Sequence, residues 1–148
     1  MEDEKAGGAA VNFQNLSLAE LLIQSGHYSD KTRKAALAGL ADLLHRHPQE
    51  LERHAGHAGQ LLTKLAERVG DGESAVRQAL VSLMRERVMP LLSAGAIRPF
   101  MPVVMAHVSS AMTNLCMEVR LDALSFLDVL MDFVPQLVSG DDGLSSLS

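Results

Sequence analysis

The sequence predicts an all-α domain assembled from repeated helical units, on three observations. Leu, Ala, Val and Met dominate a chain with only 3% aromatic residues and no Trp, a palette that favours helix over strand. Apolar residues recur at helical spacing in segments parted by Pro and Gly. An Arg-to-Pro phrase also occurs three times. Arg33, Arg77 and Arg120 are 44 and 43 residues apart, and each is followed by Pro after 15, 13 and 15 residues (Pro48, Pro90, Pro135). Three residues after each Arg stand Ala36, Leu80 and Ala123; four after, Leu37, Val81 and Leu124; seven after, Leu40, Met84 and Leu127. A period in the forties, with about two helices per unit, is the pattern of a short α-solenoid of HEAT- or armadillo-like repeats, whose apolar faces are covered by stacking on one another.

The elements follow in order. Residues 1–12 read as a flexible tail, residues 13–138 as the helical-repeat domain and residues 139–148 as a disordered tail. Ser17 and Glu20 form a capping box, with Leu16 and Leu21 at the staple positions, so a short helix starts at Leu18. Ser29 or Asp30 caps a second helix from Lys31 to about Arg46, with Ala36, Leu37, Leu40, Leu43 and Leu44 on its apolar face. Pro48 ends it. A less regular helix spans 49–69, and Gly56 and Gly59 predict a break between His54 and Gly59. After the turn Gly70-Asp71-Gly72, Ser74 is expected to cap a helix to Val88. A short connector over 91–97 leads to a helix from Pro99 or Phe100 to Leu115, and a last helix runs from Met117 to Phe133.

Composition narrows the function classes. The net charge is −5, and residues 106–148 hold one Arg against six acids while residues 1–105 balance at 12 and 12. Direct nucleic-acid binding by a basic face is therefore not expected of this segment. With one cysteine no intrachain disulfide can form, and a reducing compartment is expected, with Cys116 as a small core residue. Residues 99–117 carry no Asp, Glu, Lys or Arg, yet Pro99, Pro102, His107 and Asn114 make them too polar for a membrane span.

No catalytic or ligand-binding constellation stands out in the sequence. His45, His47, His54 and His57 match no zinc spacing and lack a cysteine. Gly70-Asp71-Gly72-Glu73-Ser74-Ala75 imitates a dinucleotide fingerprint but follows a helix where the motif needs a strand. No nucleophile elbow is present. The chain is expected to be no enzyme and to use no cofactor or metal. Seven methionines between Met84 and Met131 read as core filling. Arg33, Arg77 and Arg120 are expected to stabilise the repeats through acids such as Asp30, Asp71 or Glu118. The last helix is apolar on more than one stripe, so Leu121, Phe126, Val129 and Phe133 are expected to form a partner-facing apolar edge, open to a partner, to a second copy or to further chain.

Two blocks bear a family resemblance. One runs from Leu16-Ser17-Leu18-Ala19-Glu20-Leu21-Leu22 through His27-Tyr28 to Arg33-Lys34-Ala35-Ala36-Leu37-Ala38-Gly39-Leu40 and His47-Pro48. The other is Ala111-Met112-Thr113-Asn114-Leu115 followed by Val119-Arg120-Leu121-Asp122-Ala123-Leu124-Ser125-Phe126-Leu127-Asp128. From Phe13 to Val138 the chain resembles the N-terminal HEAT-repeat domain of the pre-rRNA-processing subunit of the Rix complex, the testis-expressed ten family of animals. Asn114 and Ala123 stand where that family has His and Ser, and the acidic Met1-Glu2-Asp3-Glu4 stands in place of a Lys-rich arm. The resemblance implies a non-catalytic scaffold for processing the second internal transcribed spacer and maturing the large ribosomal subunit. It implies other Rix-complex subunits, a midasin-type ATPase and the pre-60S particle as partners. The implied place is the nucleus (nucleolus and nucleoplasm), with the cytoplasm as a second location. The alternative from the residues alone is a generic HEAT or armadillo adaptor unrelated to ribosome assembly.

Overall fold

The structure, a computed structural model, describes residues 10–12, 14–53 and 55–139. The described residues are helical: α1 (Leu18–Gln24), α2 (Asp30–Arg46), α3 (Gln49–Arg53), α4 (Ala55–Ala66), α5 (Ser74–Leu83), α6 (Ala94–Ile97), α7 (Met101–Met112), α8 (Met117–Phe133) and α9 (Pro135–Val138). They lie in two rows. α2, α5 and α8 pack side by side in one row, and α1, α4 and α7 form the other. The rows are joined where α1 lies on α2 and α7 lies on α8. One continuous core fills the space between them, from Leu21, Leu40 and Leu61 through Leu80 and Val108 to Phe126 and Val129. Each such side chain contributes about 1.5–3 kcal/mol of burial.

Local chemistry explains most boundaries. Ser17 accepts from the Glu20 N–H while the Glu20 carboxylate accepts from the Ser17 N–H, so the capping box that opens α1 is complete. Ser29 caps α2 through the Thr32 N–H. The residues three after each repeated Arg, Ala36, Leu80 and Ala123, are all fully buried, which makes them the inward line of their helices.

The structure corrects several readings. Ala10, Val11 and Asn12, expected in the tail, are buried. The Asn12 carbonyl oxygen of its side chain accepts from the N–H groups of Gln14 and Leu16, and its amide lies over Gly39, where a Cβ would come within 2.7 Å. The remaining tails, 1–9 and 140–148, lie outside the described residues. Ser74 is the first residue of α5 and not its cap; Glu73 holds the cap position without a side-chain cap bond, and its N–H donates to the Asp71 carboxylate. The helix expected to run to Val88 does so, but Met84–Val88 is a wider π turn and Met89–Leu91 a 3-10 turn. The break expected between His54 and Gly59 is present, since α3 ends at Arg53 and α4 begins at Ala55; Gly59 itself sits inside α4, where the Phe100 ring occupies the space of its missing side chain. Cys116 is exposed at the cap of α8, because α7 stops at Met112 and a turn carries 113–116 out of the core. Among the described residues no single helix is long and apolar enough to cross a membrane.

Candidate interaction surface

The three repeated arginines each occupy the fourth position of their helix, in α2, α5 and α8. That is the wrong end for a cation in the field of the helix dipole, so other bonds must hold them there. Each guanidinium reaches back to the turn before its own helix. Arg33 donates through Nη1 to the carbonyls of His27 and Tyr28, at 3.0 Å each. Arg77 donates likewise to Asp71 O at 2.7 Å, and Arg120 to Asn114 O at 2.6 Å and Leu115 O at 3.2 Å.

The rest of the fork reaches forward to the next unit. Arg33 holds Asp71 with two bonds, Nε to Oδ2 at 2.8 Å and Nη2 to Oδ1 at 3.0 Å. Arg77, buried at 3% exposure, holds Asp122 of α8 from Nε at 2.8 Å. Asp71 is the hub. Its side chain is 1% exposed and also accepts from Arg68 Nη1 at 2.8 Å and from the Glu73 N–H. Burial alone would raise the Asp71 carboxyl; the bonds from Arg33, the Glu73 amide and Arg68 outweigh it and hold the carboxyl below its ordinary range. The same contact raises the Arg33 guanidinium, chiefly through its hydrogen bond to Asp71. Bidentate, buried pairs of this kind are strongly coupled to the fold, since removing one partner strands the other charge. The result is a ladder from α2 through the 70–73 turn and α5 to α8.

Arg120 is the third rung. It has the backward bonds of the other two, and the described residues place no carboxylate on it. It flanks a stripe of α8 that faces outward: Met117, Leu121, Leu124 and Met131 are all exposed, with Leu121 at 54%, and Asp128 sits among them. The spacing of four, three, four and three residues is one helix face. Of the edge expected from sequence, Leu121 and Phe133 are exposed, whereas Phe126 and Val129 are turned into the core at 2% and 0%. The physical reason is that α8 is covered on two sides, by α7 and by α5, so only one of its apolar stripes remains bare. Leu124 and Met131 were missed as surface residues because apolar residues surround most of the helix and periodicity alone cannot say which stripe is covered.

Other sequence candidates are dispersed or absorbed. His47 Nδ1 meets the Gln49 amide and His57 Nδ1 the Glu50 carbonyl. Met84, Met89 and Met101 fill the core, while Met112, Met117 and Met131 are exposed. The Gly70-Asp71-Gly72 turn follows α4 and turns its Asp inward to the arginines.

Comparison with known proteins agrees with this region. Residues 95–142, from α6 past α9, match the family described as a Rix1 complex component involved in 60S ribosome maturation, Ipi1 N-terminal. A testis-expressed protein 10 homolog of Danio rerio is 33% identical over 126 residues, which is 85% of this chain and 13% of that protein. The pre-rRNA-processing protein IPI1 of Chaetomium thermophilum is 33% identical over 132 residues, 89% of this chain and 34% of its own length. That of Scheffersomyces stipitis is 26% identical over 135 residues, 91% and 35%. The chain thus spans about a third or less of these relatives. With a family match over its C-terminal helices and animal and fungal relatives aligned over most of its length, the chain belongs to the Rix-complex Ipi1 and testis-expressed ten family, as its N-terminal domain.

Proposed function

We propose that this chain is a non-catalytic scaffold of HEAT- or armadillo-like helical repeats that acts in pre-rRNA processing and maturation of the large ribosomal subunit. The observation that carries the reading is the family match over residues 95–142, together with relatives named as pre-rRNA-processing proteins. The repeat reading is supported by arginines at equivalent helix positions, each bonded to the turn before its helix, and by the single row of α2, α5 and α8. A framework role is supported by what its buried charges do: Asp71 and Arg77 bind the chain to itself. The step served is removal of the second internal transcribed spacer, in the nucleolus and nucleoplasm. The partners are the other Rix-type subunits, a midasin-type ATPase and the pre-60S particle.

Affinity capture of the tagged protein from growing cells tests this. Large-subunit assembly factors should co-purify, and depletion of the protein should accumulate precursors that retain the second spacer. A well-expressed bait that captures none of those factors, with normal precursor levels on depletion, would sink the proposal.

A further inference from the structure

The bare stripe of α8 has a counterpart inside the molecule that shows what such a stripe receives. Relative to their arginines, Leu121, Leu124 and Asp128 of α8 correspond to Gln78 and Val81 of α5 and to Arg85 in the π turn that continues it. On α5 that stripe borders α8, with Gln78 exposed and Val81 half-buried. Gln78 and Val81 line a groove of about 230 Å³ with Asp122 and Ser125 of α8, Arg77 takes Asp122, and Arg85 takes Asp132 at 2.8 Å. On α2 the same positions hold Lys34, Leu37 and Ala41, where Leu37 is buried and α5 is the neighbour. In both completed cases the position four after the arginine is covered by the next helix of the row, Leu37 fully and Val81 in part, while the position one after it, Lys34 or Gln78, stays exposed; the arginine beside it takes a carboxylate from further along the chain.

We propose that the outer stripe of α8 docks one further helical repeat of the same polypeptide, as carried by longer members of the family, and that this repeat brings a carboxylate to Arg120. The inference rests on the helical-repeat reading given above. Charge complementarity sharpens the occupant: the stripe continuing from α5 offers Arg85 to an acid, whereas the α8 stripe offers Asp128, so the docking helix carries a Lys or Arg opposite it and an apolar side chain opposite Leu124. Register sharpens it further. Arg33 finds its acid 38 residues downstream and Arg77 finds its own 45 downstream. The relatives, of which this chain spans 13–35%, have further chain that can supply such an acid.

The test fuses residues 1–139 to the next repeat length, about 45 residues, that follows the matched region in the Danio rerio relative. The fusion should melt in one transition about 5 °C or more above the chain alone. Arg120→Gln should lower the fusion's midpoint by about 5 °C more than it lowers the chain's. Leu124→Asp, at a position 42% exposed, should leave the isolated chain within about 2 °C of the parent and abolish the fusion's gain. Separate transitions, or equal losses in both contexts, overturn the proposal. So does a dimer of the chain alone in light scattering that Leu124→Asp dissolves, since that assigns the face to a second copy. A check independent of folding is the relatives' own sequence: an Asp or Glu belongs 38–45 residues after the arginine aligned with Arg120, and its absence from the zebrafish and fungal proteins overturns the assignment. Failure of the affinity capture would leave these measurements standing, so the two readings fail separately.

Discussion

Asp71 shows how a single carboxylate binds two units of the fold. It accepts four hydrogen bonds, two from Arg33, one from Arg68 and one from the Glu73 amide, in a site almost closed to water. Its backbone carbonyl adds a bond from Arg77. Asp71→Ala should therefore cost about 3–5 kcal/mol, because two guanidinium groups lose their acceptor at a buried site. For a chain of this size that is a drop of about 6–20 °C in thermal midpoint. The pH dependence follows from the direction of the shift. A carboxyl held low in the folded state favours folding fully above its unfolded value, and the contribution is lost as pH falls through its folded value. In urea titrations, wild type should therefore exceed Asp71→Asn by its full margin at pH 6, and the margin should shrink steadily below about pH 4. A margin that stays constant to pH 3 would contradict the role assigned to the charge.

At the scale of elements, the sequence was most legible where a local rule decides the outcome. The capping box of α1, the Ser29 cap, Pro48 and the full extent of α8 could all be read from residues, because each depends on neighbours within four positions. It was least legible where a distant residue decides. Gly59 reads as a helix breaker, yet Phe100, 41 positions away, turns it into a contact point with a would-be Cβ only 2.4 Å from the ring. Gly59→Ala should gain about 1 kcal/mol of helix propensity and lose about 1–3 kcal/mol to overpacking, for a net loss. Adding Phe100→Leu should recover part of it, giving a favourable coupling in a double-mutant cycle; strict additivity would show that the ring does not set the cost. Cys116 is the opposite case, an apolar-looking residue carried outward by the 113–116 turn. It should react with a thiol reagent in the native protein as fast as a free thiol, and slow labelling that accelerates only on unfolding would place it wrongly.

For the whole molecule, the two rows share one core and the ladder crosses from α2 to α8, so unfolding should be a single event. Calorimetric and van't Hoff enthalpies should agree for the described domain; a ratio well above one would mean that the N-terminal and C-terminal helices melt apart. The arginine-to-proline repetition made the row of helices legible, and the acids that face the arginines were legible only in part. Asp71 stood among the acids the sequence nominated, but Asp122 did not, because it belongs to the next unit and its direction depends on how α8 turns against α5.

The buried ladder lies along the N-terminal ends of α2, α5 and α8 alone. At the opposite ends the stack is looser: a gap of about 180 Å³ opens between Leu44, His45 and Pro48 on one side and Arg87, Pro90 and Leu91 on the other. The ion pair Arg85–Asp132, toward that end, is half open to water. The row is thus bound like a book along its spine. Its soft deformation is a fanning of the C-terminal edges about the fixed arginine edge, which changes curvature without breaking a buried pair. Hydrogen exchange should report this asymmetry, slow in the first turns of α5 and α8 and faster around residues 84–91.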